Sequence, residues 1–555
     1  MKLNIRIAWP AWMWLNSTSL IIWSIFSNLG YHVIEDWEYS SIIKWWINFF
    51  DLNVSDESKS ISKFVDILIV FDDKNLKVNL DSLRPWAFII SNEKNTNKLI
   101  DDGISLDNFK VLSLEINDKY DNTYLLWILF KLLWLDKGLI KDSVELAFAR
   151  KWKEVVEKNQ KIVSDILSSY DIDSSLIFGI KKIWEAKKYS YWNKAIAYWA
   201  IDSWLDYFSA YPMTPASTVL SEIVNSKKVN YLQAEDEIAV INSALWASFT
   251  WARSMVATSG GWFALMVEAL SFAVQAEIPI TVVLSQRAGP STWTPTMHEA
   301  WDLNIALNPT FWDFNHICLC PSTLEEWYYF WWLSLNLAKK YQSVVMFLTD
   351  KQFSDSHASL DKELIPVKID NWKVLKNPPE DYKRYELTDD GVSPMVEVGT
   401  KNGDFIATSY EHDEYWATTE DMEMKKLMTE KRFKKLENFF EKEGIKGYEV
   451  INPSAKKMII TFSFISYNAK EFVRQNPDFW LIIIKFLKPL DERLLDELKS
   501  VEEVIFVENN YSGQLENYIV KELWLKALDL KISHLRKYDL MPFYMEDFEE
   551  LKIKK

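Results

Sequence analysis

Apolar and polar residues alternate along this chain in blocks that predict strands and helices in turn. Apolar runs of about four to eight residues have the length of buried strands, and a longer run over residues 16–29 has the length of a helix that ends at Gly30. The runs predicted as strands are 3–8, 31–34, 64–71, 87–90, 254–258, 280–284, 344–348, 457–462, 481–484 and 504–507. Strands that alternate with helices are typical of α/β domains.

Polar segments divide this pattern into three α/β domains. We expect each domain to be doubly wound, with helices on both faces of its sheet. The first domain is predicted at residues 1–175 and the second at 190–365. Residues 366–450 are predicted as an extended polar linker that leads into a charged helix over 421–442, and the third domain at 451–555.

Charge, hydropathy and cysteine content exclude several classes of protein. The chain has 555 residues and a formal net charge of -16, which argues against nucleic acid as a partner because phosphate binding needs clustered Lys and Arg. The most apolar stretch, residues 124–135, is too short to span a membrane. Cys318 and Cys320 fit a reducing compartment and cannot form a four-thiolate cluster by themselves. We therefore expect a cytoplasmic protein without a membrane or nucleic-acid partner.

Tryptophan is abnormally frequent in this chain and glycine abnormally rare. The 28 tryptophans and 13 glycines together make up about 7% of the residues, which is the usual share of glycine alone. Trp134 also follows an apolar helical pattern, where a C-cap glycine is expected. Some bacterial genetic codes read UGA as glycine, and a conventional translation of such a gene prints tryptophan. We therefore hypothesise that most of these tryptophans are UGA-encoded glycines in the cell; the alternative is a tryptophan-rich protein.

Four motifs in the second predicted domain carry the candidate chemistry. Residues 211–218 read YPMTPAST, 233–237 read QAEDE, 258–262 read TSGGW and 286–296 read QRAGPSTWTPT. They resemble, in this order, the motifs YPxTPxS, EDE, TSGPG and RxGPSTGxPT of the large subunits of 2-oxoacid:ferredoxin oxidoreductases, most of all the 2-oxoglutarate type. The resemblance covers essentially the whole chain and includes residues 508–514, ENNYSGQ, near the C-terminus. Reading tryptophan as glycine improves the match to these motifs.

This resemblance implies a thiamine-diphosphate enzyme. The family reaction converts a 2-oxoacid, coenzyme A and oxidised ferredoxin into acyl-CoA, CO₂ and reduced ferredoxin, and 2-oxoglutarate is the expected substrate. The resemblance also implies that the first domain is of the gamma type, that the second binds the pyrimidine of the cofactor, and that the third is like the C-terminal domain of transketolases. Pyruvate, branched-chain or aryl 2-oxoacids stay open as substrates, and so does a non-catalytic scaffold role.

One carboxylate in the second motif is expected to bind the cofactor. The resemblance places at Glu237 the glutamate that hydrogen-bonds the aminopyrimidine ring, with Tyr211 and Pro212 beside the cofactor. Glu235 and Asp236 are its neighbours, and three successive carboxylates at the start of a helix cannot all face one site. The alternative is that these acids only interact favourably with the helix dipole.

The substrate is expected to meet a guanidinium and hydroxyl groups. Arg287 suits the carboxylate of a 2-oxoacid because a guanidinium binds carboxylates through two parallel hydrogen bonds. The resemblance supports this role and places Thr214 nearby as a hydroxyl donor, with Ser291 and Thr292 as further candidates. The alternative is that Arg287 is only a surface charge after a buried strand. His298 lies near the same loop in sequence and is interpreted as structural.

Two parts that the family reaction needs are missing from the sequence. The G-D-G motif that holds Mg²⁺ and the diphosphate is absent even when tryptophan is read as glycine, because residues 403–405 read G-D-F. The cysteines for an iron–sulfur relay are missing as well. We therefore expect a beta subunit that contributes the diphosphate-binding motif, Mg²⁺ and a [4Fe-4S] cluster, with the thiamine diphosphate shared between the subunits and no metal ligand in this chain.

The turn at residues 9–14 resembles a phosphate-binding loop. Its sequence WPAWMW becomes GPAGMG when tryptophan is read as glycine, and it lies between a predicted strand and a predicted helix. Backbone N–H groups and the helix dipole favour an anion at such a place. Binding of a nucleotide or coenzyme A and simple close packing of the turn both stay open.

Overall fold

The structure is a computed structural model in which the chain separates into two compact units. Unit 1 comprises Met1–Ser190, Ser356–Asp361 and Tyr544–Lys555, and unit 2 comprises Tyr191–Asp355 and Lys362–Phe543. The residues that the structure describes are 1–10, 16–39, 48–116, 121–148, 156–157, 160–161, 172–191, 202–289, 294–362, 364, 367–370, 373–525 and 530–553. None of the helices in these ranges combines the length and the apolar character needed to cross a bilayer.

Unit 1 is built on a mixed sheet of eight strands in the order β6-β5-β4-β1-β3-β2-β14-β7. These strands are β1 (Lys2–Trp9), β2 (His32–Glu38), β3 (Asn48–Ser55), β4 (Val65–Val70), β5 (Leu83–Asn92), β6 (Lys110–Leu114), β7 (Tyr189–Tyr191) and β14 (His357–Ser359). Its helices are α1 (Asn16–Asn28), α2 (Asp73–Asn79), α3 (Glu93–Asp101), α4 (Asp121–Leu132), α5 (Lys137–Phe148) and α17 (Glu550–Ile553).

The sheet of unit 1 is parallel on one side of β1 and antiparallel on the other. Strands β1, β4, β5 and β6 run parallel, whereas β3 pairs antiparallel with both β1 and β2. The prediction of an α/β unit is confirmed, but the antiparallel half was not predicted. Strand β3 carries a buried Asp51, which a purely apolar search for strands passes over. Arg6 lies opposite Asp51 in the register of β1 and β3 and binds it through two bonds of 2.6 Å.

Unit 2 contains two further sheets that share one hydrophobic core. The first has the order β18-β12-β13-β11-β10-β8-β9, and its strands are β8 (Tyr207–Ala210), β9 (Asn230–Gln233), β10 (Ser254–Ser259), β11 (Ile280–Gln286), β12 (Ile317–Leu319), β13 (Val344–Asp350) and β18 (Phe486–Lys488). The second has the order β15-β17-β16-β19-β20, and its strands are β15 (Tyr448–Ile451), β16 (Lys457–Phe462), β17 (Phe479–Ile484), β19 (Glu503–Glu508) and β20 (Lys531–Arg536).

Both sheets of unit 2 are mainly parallel. Among the strands that the structure describes in unit 2, only β18 at an edge of the first sheet and β15 at an edge of the second pair antiparallel. The helices of unit 2 are α6 (Ser217–Ser226), α7 (Glu237–Phe249), α8 (Val267–Gln275), α9 (Leu303–Leu307), α10 (Leu324–Tyr341), α11 (Lys351–Asp355), α12 (Met422–Lys434), α13 (Phe439–Glu443), α14 (Ile465–Gln475), α15 (Leu494–Leu498) and α16 (Gln514–Glu522). The predicted alternation of strands and helices is therefore confirmed in unit 2.

The prediction of a single charged helix over residues 421–442 is wrong in the middle of this range. Asp421 caps α12, which ends at Lys434, and a second helix, α13, starts at Phe439. Asn438 between them adopts a left-handed conformation with φ of 54°, which no continuous right-handed helix can contain.

Helix α12 is held against the rest of unit 2 by a buried carboxylate. The Nζ atom of Lys431 lies 2.5 Å from one oxygen of Glu277, and that of Lys435 lies 2.7 Å from the other. Burial alone would raise the pKa of Glu277, but these two cations hold the pKa well below its ordinary value. The cluster therefore ties the C-terminal end of α12 to Glu277, which lies just after α8.

Candidate active site

The sequence motifs converge on one edge of the first sheet of unit 2. Strands β9, β8, β10 and β11 are adjacent and parallel, so their carboxyl ends lie on the same edge. Residues 211–218 follow β8, α7 follows β9, a 3-10 turn over Gly260–Met266 follows β10, and Arg287 follows β11. Ligands of open parallel sheets bind at this kind of edge.

Glu237 is a buried carboxyl group without a hydrogen-bond partner among the described residues. It is the first residue of α7, its residue surface is 1% exposed, and neither carboxylate oxygen has a hydrogen-bond partner in the described part of the chain. Burial raises the pKa of Glu237, and the nearby Asp236 adds to the rise. A buried polar group without a partner is costly, so this carboxyl fits a ligand that offers a ring nitrogen to it.

The two acids before Glu237 have other surroundings. Asp236 is the N-cap of α7 and accepts a hydrogen bond of 2.7 Å from the backbone N–H of Ala239. Glu235 is exposed. The helix-cap interpretation therefore applies to Asp236, whereas Glu237 is the one member of the triplet that is both buried and unpartnered.

Arg287 is buried beside the loop that follows β8. Its Nη1 atom donates a hydrogen bond of 2.5 Å to the backbone oxygen of Thr214, while Nε and Nη2 have no partner among the described residues. Only 2% of the residue is exposed, so the surface-charge alternative is wrong. Burial lowers the pKa of Arg287, and Asp302 opposes that shift. A guanidinium with two unused N–H directions can receive a carboxylate.

Gly260 makes room for this guanidinium. It adopts φ of 58°, and a β-carbon at this residue would lie 3.3 Å from the Nε atom of Arg287. Both the left-handed backbone and the close approach favour glycine at this position. The first glycine of the TSGGW motif is therefore tied to the placement of Arg287.

The other predicted site residues lie in the loop after β8 or outside the described residues. Thr214 and Tyr211 are half-buried in the loop after β8, and Pro212 is exposed there. Tyr211 packs against the core of unit 2. Ser291 and Thr292 lie outside the described residues. The structure thus brings Thr214 to Arg287 through its backbone oxygen.

Asp302 is a site residue that the sequence analysis missed. Burial raises its pKa to about 6, although the nearby Arg287 and the backbone N–H groups of Gly260 and Arg287 counteract that rise. Its Oδ2 atom has no hydrogen-bond partner in the described ranges. The buried amide of Gln286, directly before Arg287, is unpartnered as well. The available signal was a pair of acidic residues, Glu299 and Asp302, directly after the RxGPSTGxPT motif.

His298 and the two cysteines have surroundings that differ from those of Glu237 and Arg287. His298 is buried, with its Nε2 atom 3.2 Å from Nζ of Lys351, which supports the structural interpretation. Cys318 and Cys320 are free and buried, and burial raises the pKa of Cys318 to about 12. Neither thiol is therefore ionised at neutral pH.

Comparisons with known proteins match both units. A family model described as "Pyruvate flavodoxin/ferredoxin oxidoreductase, thiamine diP-bdg" matches residues 200–431, and one described as "Pyruvate ferredoxin/flavodoxin oxidoreductase" matches residues 15–168. The 2-oxoacid:ferredoxin oxidoreductase subunit alpha of Sulfolobus sp is 28% identical over 97% of this chain and 95% of that protein. This chain belongs to the 2-oxoacid:ferredoxin oxidoreductase family. Its thiamine-diphosphate-binding region contains Thr214, Glu237 and Arg287.

Two further relatives support the assignment to this oxidoreductase family. Subunit alpha of 2-oxoacid:ferredoxin oxidoreductase 2 from Aeropyrum pernix is 35% identical over 58% of this chain and 54% of that protein. The solved structure of a 2-oxoglutarate:ferredoxin oxidoreductase from Magnetococcus marinus, with 2-oxoglutarate, coenzyme A and succinyl-CoA bound, superposes with a TM-score of 0.88. That similarity has 26% identity and covers 100% of this chain and 99% of the other. The prediction of an alpha-type subunit is confirmed.

Proposed function

We propose that this alpha subunit takes part in the coenzyme A-dependent oxidative decarboxylation of 2-oxoglutarate, with ferredoxin as the electron acceptor. The observation that carries the proposal is the unpartnered, buried carboxyl of Glu237 on the same sheet edge as Arg287. The Magnetococcus marinus protein, solved with 2-oxoglutarate and coenzyme A bound, supports this choice of substrates.

Glu237 is proposed to hold the aminopyrimidine of thiamine diphosphate. When bound, this cofactor supplies the nucleophile for the ketone of the oxoacid and an electron sink for decarboxylation. Glu237 can carry a proton because burial raises its pKa, and it can share that proton with a ring nitrogen. Tyr211 and Pro212, in the loop after β8, are proposed to contact the same cofactor.

Arg287 is proposed to bind the carboxylate of the oxoacid. The bond from Nη1 to the backbone oxygen of Thr214 fixes the plane of the guanidinium, and Nε and Nη2 stay available for a carboxylate. The hydroxyl of Thr214, together with Ser291 and Thr292, is proposed to complete the contacts with the oxoacid. Glu237 and Arg287 then serve the cofactor and the substrate respectively.

The reaction is proposed to need a beta subunit. This partner would contribute the diphosphate-binding motif, Mg²⁺ and a [4Fe-4S] cluster, because the sequence of this chain contains neither the G-D-G motif nor enough cysteines. We propose residues 1–175 as the gamma-type domain, 190–365 as the pyrimidine-binding domain, 366–450 as linker and helix, and 451–555 as the transketolase-like C-terminal domain. A cytoplasmic location stays a prediction.

A charge-neutral substitution tests the role of Glu237. We expect Glu237→Gln, in the complex co-expressed with its beta subunit, to lower kcat for 2-oxoglutarate-dependent ferredoxin reduction by about 10²- to 10⁴-fold. Glu235→Gln is the matched control, since Glu235 is exposed two residues away, and its rate should equal that of the unmodified complex. An unchanged kcat in Glu237→Gln would refute the proposed role and leave the scaffold alternative.

Competing substrates test the choice of oxoacid. The same complex should have its highest kcat/KM with 2-oxoglutarate, the 2-oxoacid bound in the Magnetococcus marinus structure. Pyruvate, a branched-chain 2-oxoacid and an aryl 2-oxoacid are the comparisons. A higher kcat/KM with any of the three would contradict 2-oxoglutarate while leaving the role of Glu237 intact.

A further inference from the structure

Tryptophan occupies an unusual share of the left-handed backbone positions. Fifteen described residues other than glycine have a positive φ, and six of them are tryptophans, although tryptophan is only 28 of the 555 residues. The six are Trp86, Trp134, Trp204, Trp251, Trp416 and Trp524, with φ between 52° and 87°. A bulky side chain is a rare occupant of this region, which glycine adopts without a steric penalty.

Two of these tryptophans end helices in the way that glycines of the same chain do. After α4, the N–H of Trp134 bonds the backbone oxygen three residues earlier at 3.1 Å, and the next N–H bonds the oxygen five residues before it, also at 3.1 Å. Trp251 after α7 has the same pair of bonds at 2.8 and 3.1 Å. Gly30, Gly103 and Gly444 end α1, α3 and α13 with this pattern. It is the Schellman motif, whose left-handed residue is usually glycine.

The indoles at these positions gain little from the fold. Trp86, Trp134, Trp204 and Trp524 are between 66% and 79% exposed, so hydrophobic burial does not offset the left-handed backbone. Trp251 is buried, but its indole N–H has no hydrogen-bond partner in the described residues. Burial therefore does not explain tryptophan at the four exposed turns.

From this backbone geometry we infer that the six positions are glycine in the native protein and are encoded by UGA read as glycine. The inference joins two independent observations, the φ angles and the composition. Glycine removes the conflict at every one of the six turns, and reading all 28 tryptophans as glycine would bring the glycine content to the usual share of about 7%. It does not rest on the proposed function.

The same codon reading changes the candidate active site. Trp262 stands in the TSGGW motif directly after Gly260 and Gly261. The ring of Trp301 lies 3.1 Å from where a β-carbon on Gly289 would stand, so it packs against the loop that follows Arg287. Glycine at 301 would remove this ring from the loop that follows Arg287.

Peptide mass spectrometry of the complex purified from its native host tests the inference without any activity measurement. Trypsin releases residues 132–137, LLWLDK, and residues 522–526, ELWLK, as short peptides that each contain one of the six positions. We expect both peptides to have the mass of the glycine form. Residues 458–470, MIITFSFISYNAK, contain no tryptophan and serve as the control for identity and recovery.

The gene sequence provides the second arm of the test. Glycine masses together with UGA codons at 134 and 524 support the inference. Tryptophan masses in the two peptides, or UGG codons at these positions, overturn it. Both outcomes are distinct from a failure of the proposed function, because neither depends on turnover of a 2-oxoacid.

Discussion

Glycine in place of tryptophan at the left-handed positions of unit 2 should stabilise that unit more than alanine at the same positions. The positions are Trp204, Trp251, Trp416 and Trp524, and the variants are the fourfold Trp→Gly and the fourfold Trp→Ala chains. Both variants lose the same indole contacts, including that of Lys339, whose Nζ lies 3.8 Å from the ring centre of Trp251. The comparison between the glycine and alanine variants therefore isolates the free-energy contribution of the left-handed backbone.

The expected difference follows from the φ angles. A left-handed conformation destabilises an L-residue by roughly 1–2 kcal/mol, and alanine retains this penalty. Glycine avoids it, but its freer unfolded state offsets about 0.4–1 kcal/mol per site. The net difference is then roughly 0.5–1 kcal/mol at each position, or about 3 kcal/mol for the four positions together. This difference corresponds to roughly a hundredfold change in the equilibrium constant for unfolding.

Hydrogen exchange of the core amides in strands β10 and β11 measures the opening of unit 2 separately from unit 1. Their protection factors should be roughly a hundredfold higher in the glycine variant than in the alanine variant. Trp246 is the matched control, since it is exposed but lies inside α7, where glycine should be about 1 kcal/mol worse than alanine. Equal protection in the two fourfold variants would refute the backbone argument.

Three further substitutions test the site and the core. Arg287→Lys retains the charge but loses the planar fork, so KM for 2-oxoglutarate should rise at least about tenfold while thiamine diphosphate titration is unchanged. Asp302→Asn should raise the free energy of unfolding by about 3 kcal/mol at pH 8, because the folded pKa of Asp302 is about 6 against an ordinary 3.8; calorimetry should show no gain below about pH 3, where the carboxyl is mostly protonated in both states. Lys431→Met leaves the buried Glu277 with one cation fewer, so the free energy of unfolding measured in urea should fall by about 3 kcal/mol. The control Lys456→Met removes an exposed cation and should change this free energy by less than about 1 kcal/mol.

The central strands of unit 2 could be predicted because each is buried on both faces. Strands β10, β11, β13, β16, β17 and β19 therefore read as continuous apolar runs in the sequence. The position of Arg287 follows directly from this placement, since a parallel strand sends the residues after its end to one edge of the sheet. Glu237 instead follows β9, an exposed edge strand that the apolar runs did not predict, and only its motif identified it. The position of the site is thus a consequence of local patterns and motif order.

Features that depend on distant partners could not be predicted in the same way. The buried Asp51 of β3 becomes compatible with a strand only when Arg6 of β1 lies opposite it. The end of α12 depends on a left-handed Asn438, which has no strong signature in a charged, helix-favouring segment. Asp302 acquires its raised pKa from burial beside Gly260 and Arg287, and only the fold brings these residues together.

The site keeps several buried polar atoms without protein partners, and this incompleteness has an energetic meaning. Both oxygens of Glu237, two nitrogens of Arg287, one oxygen of Asp302 and the amide of Gln286 are unpartnered among the described residues. Each such atom destabilises the fold by about 1–3 kcal/mol unless a ligand completes it. Apolar residues at these positions would make the chain more stable. The presence of the polar groups together on one sheet edge therefore indicates selection for binding. A ligand that binds only the folded chain recovers this free energy as stability, which makes occupancy of the site and the stability of unit 2 two measures of the same interaction.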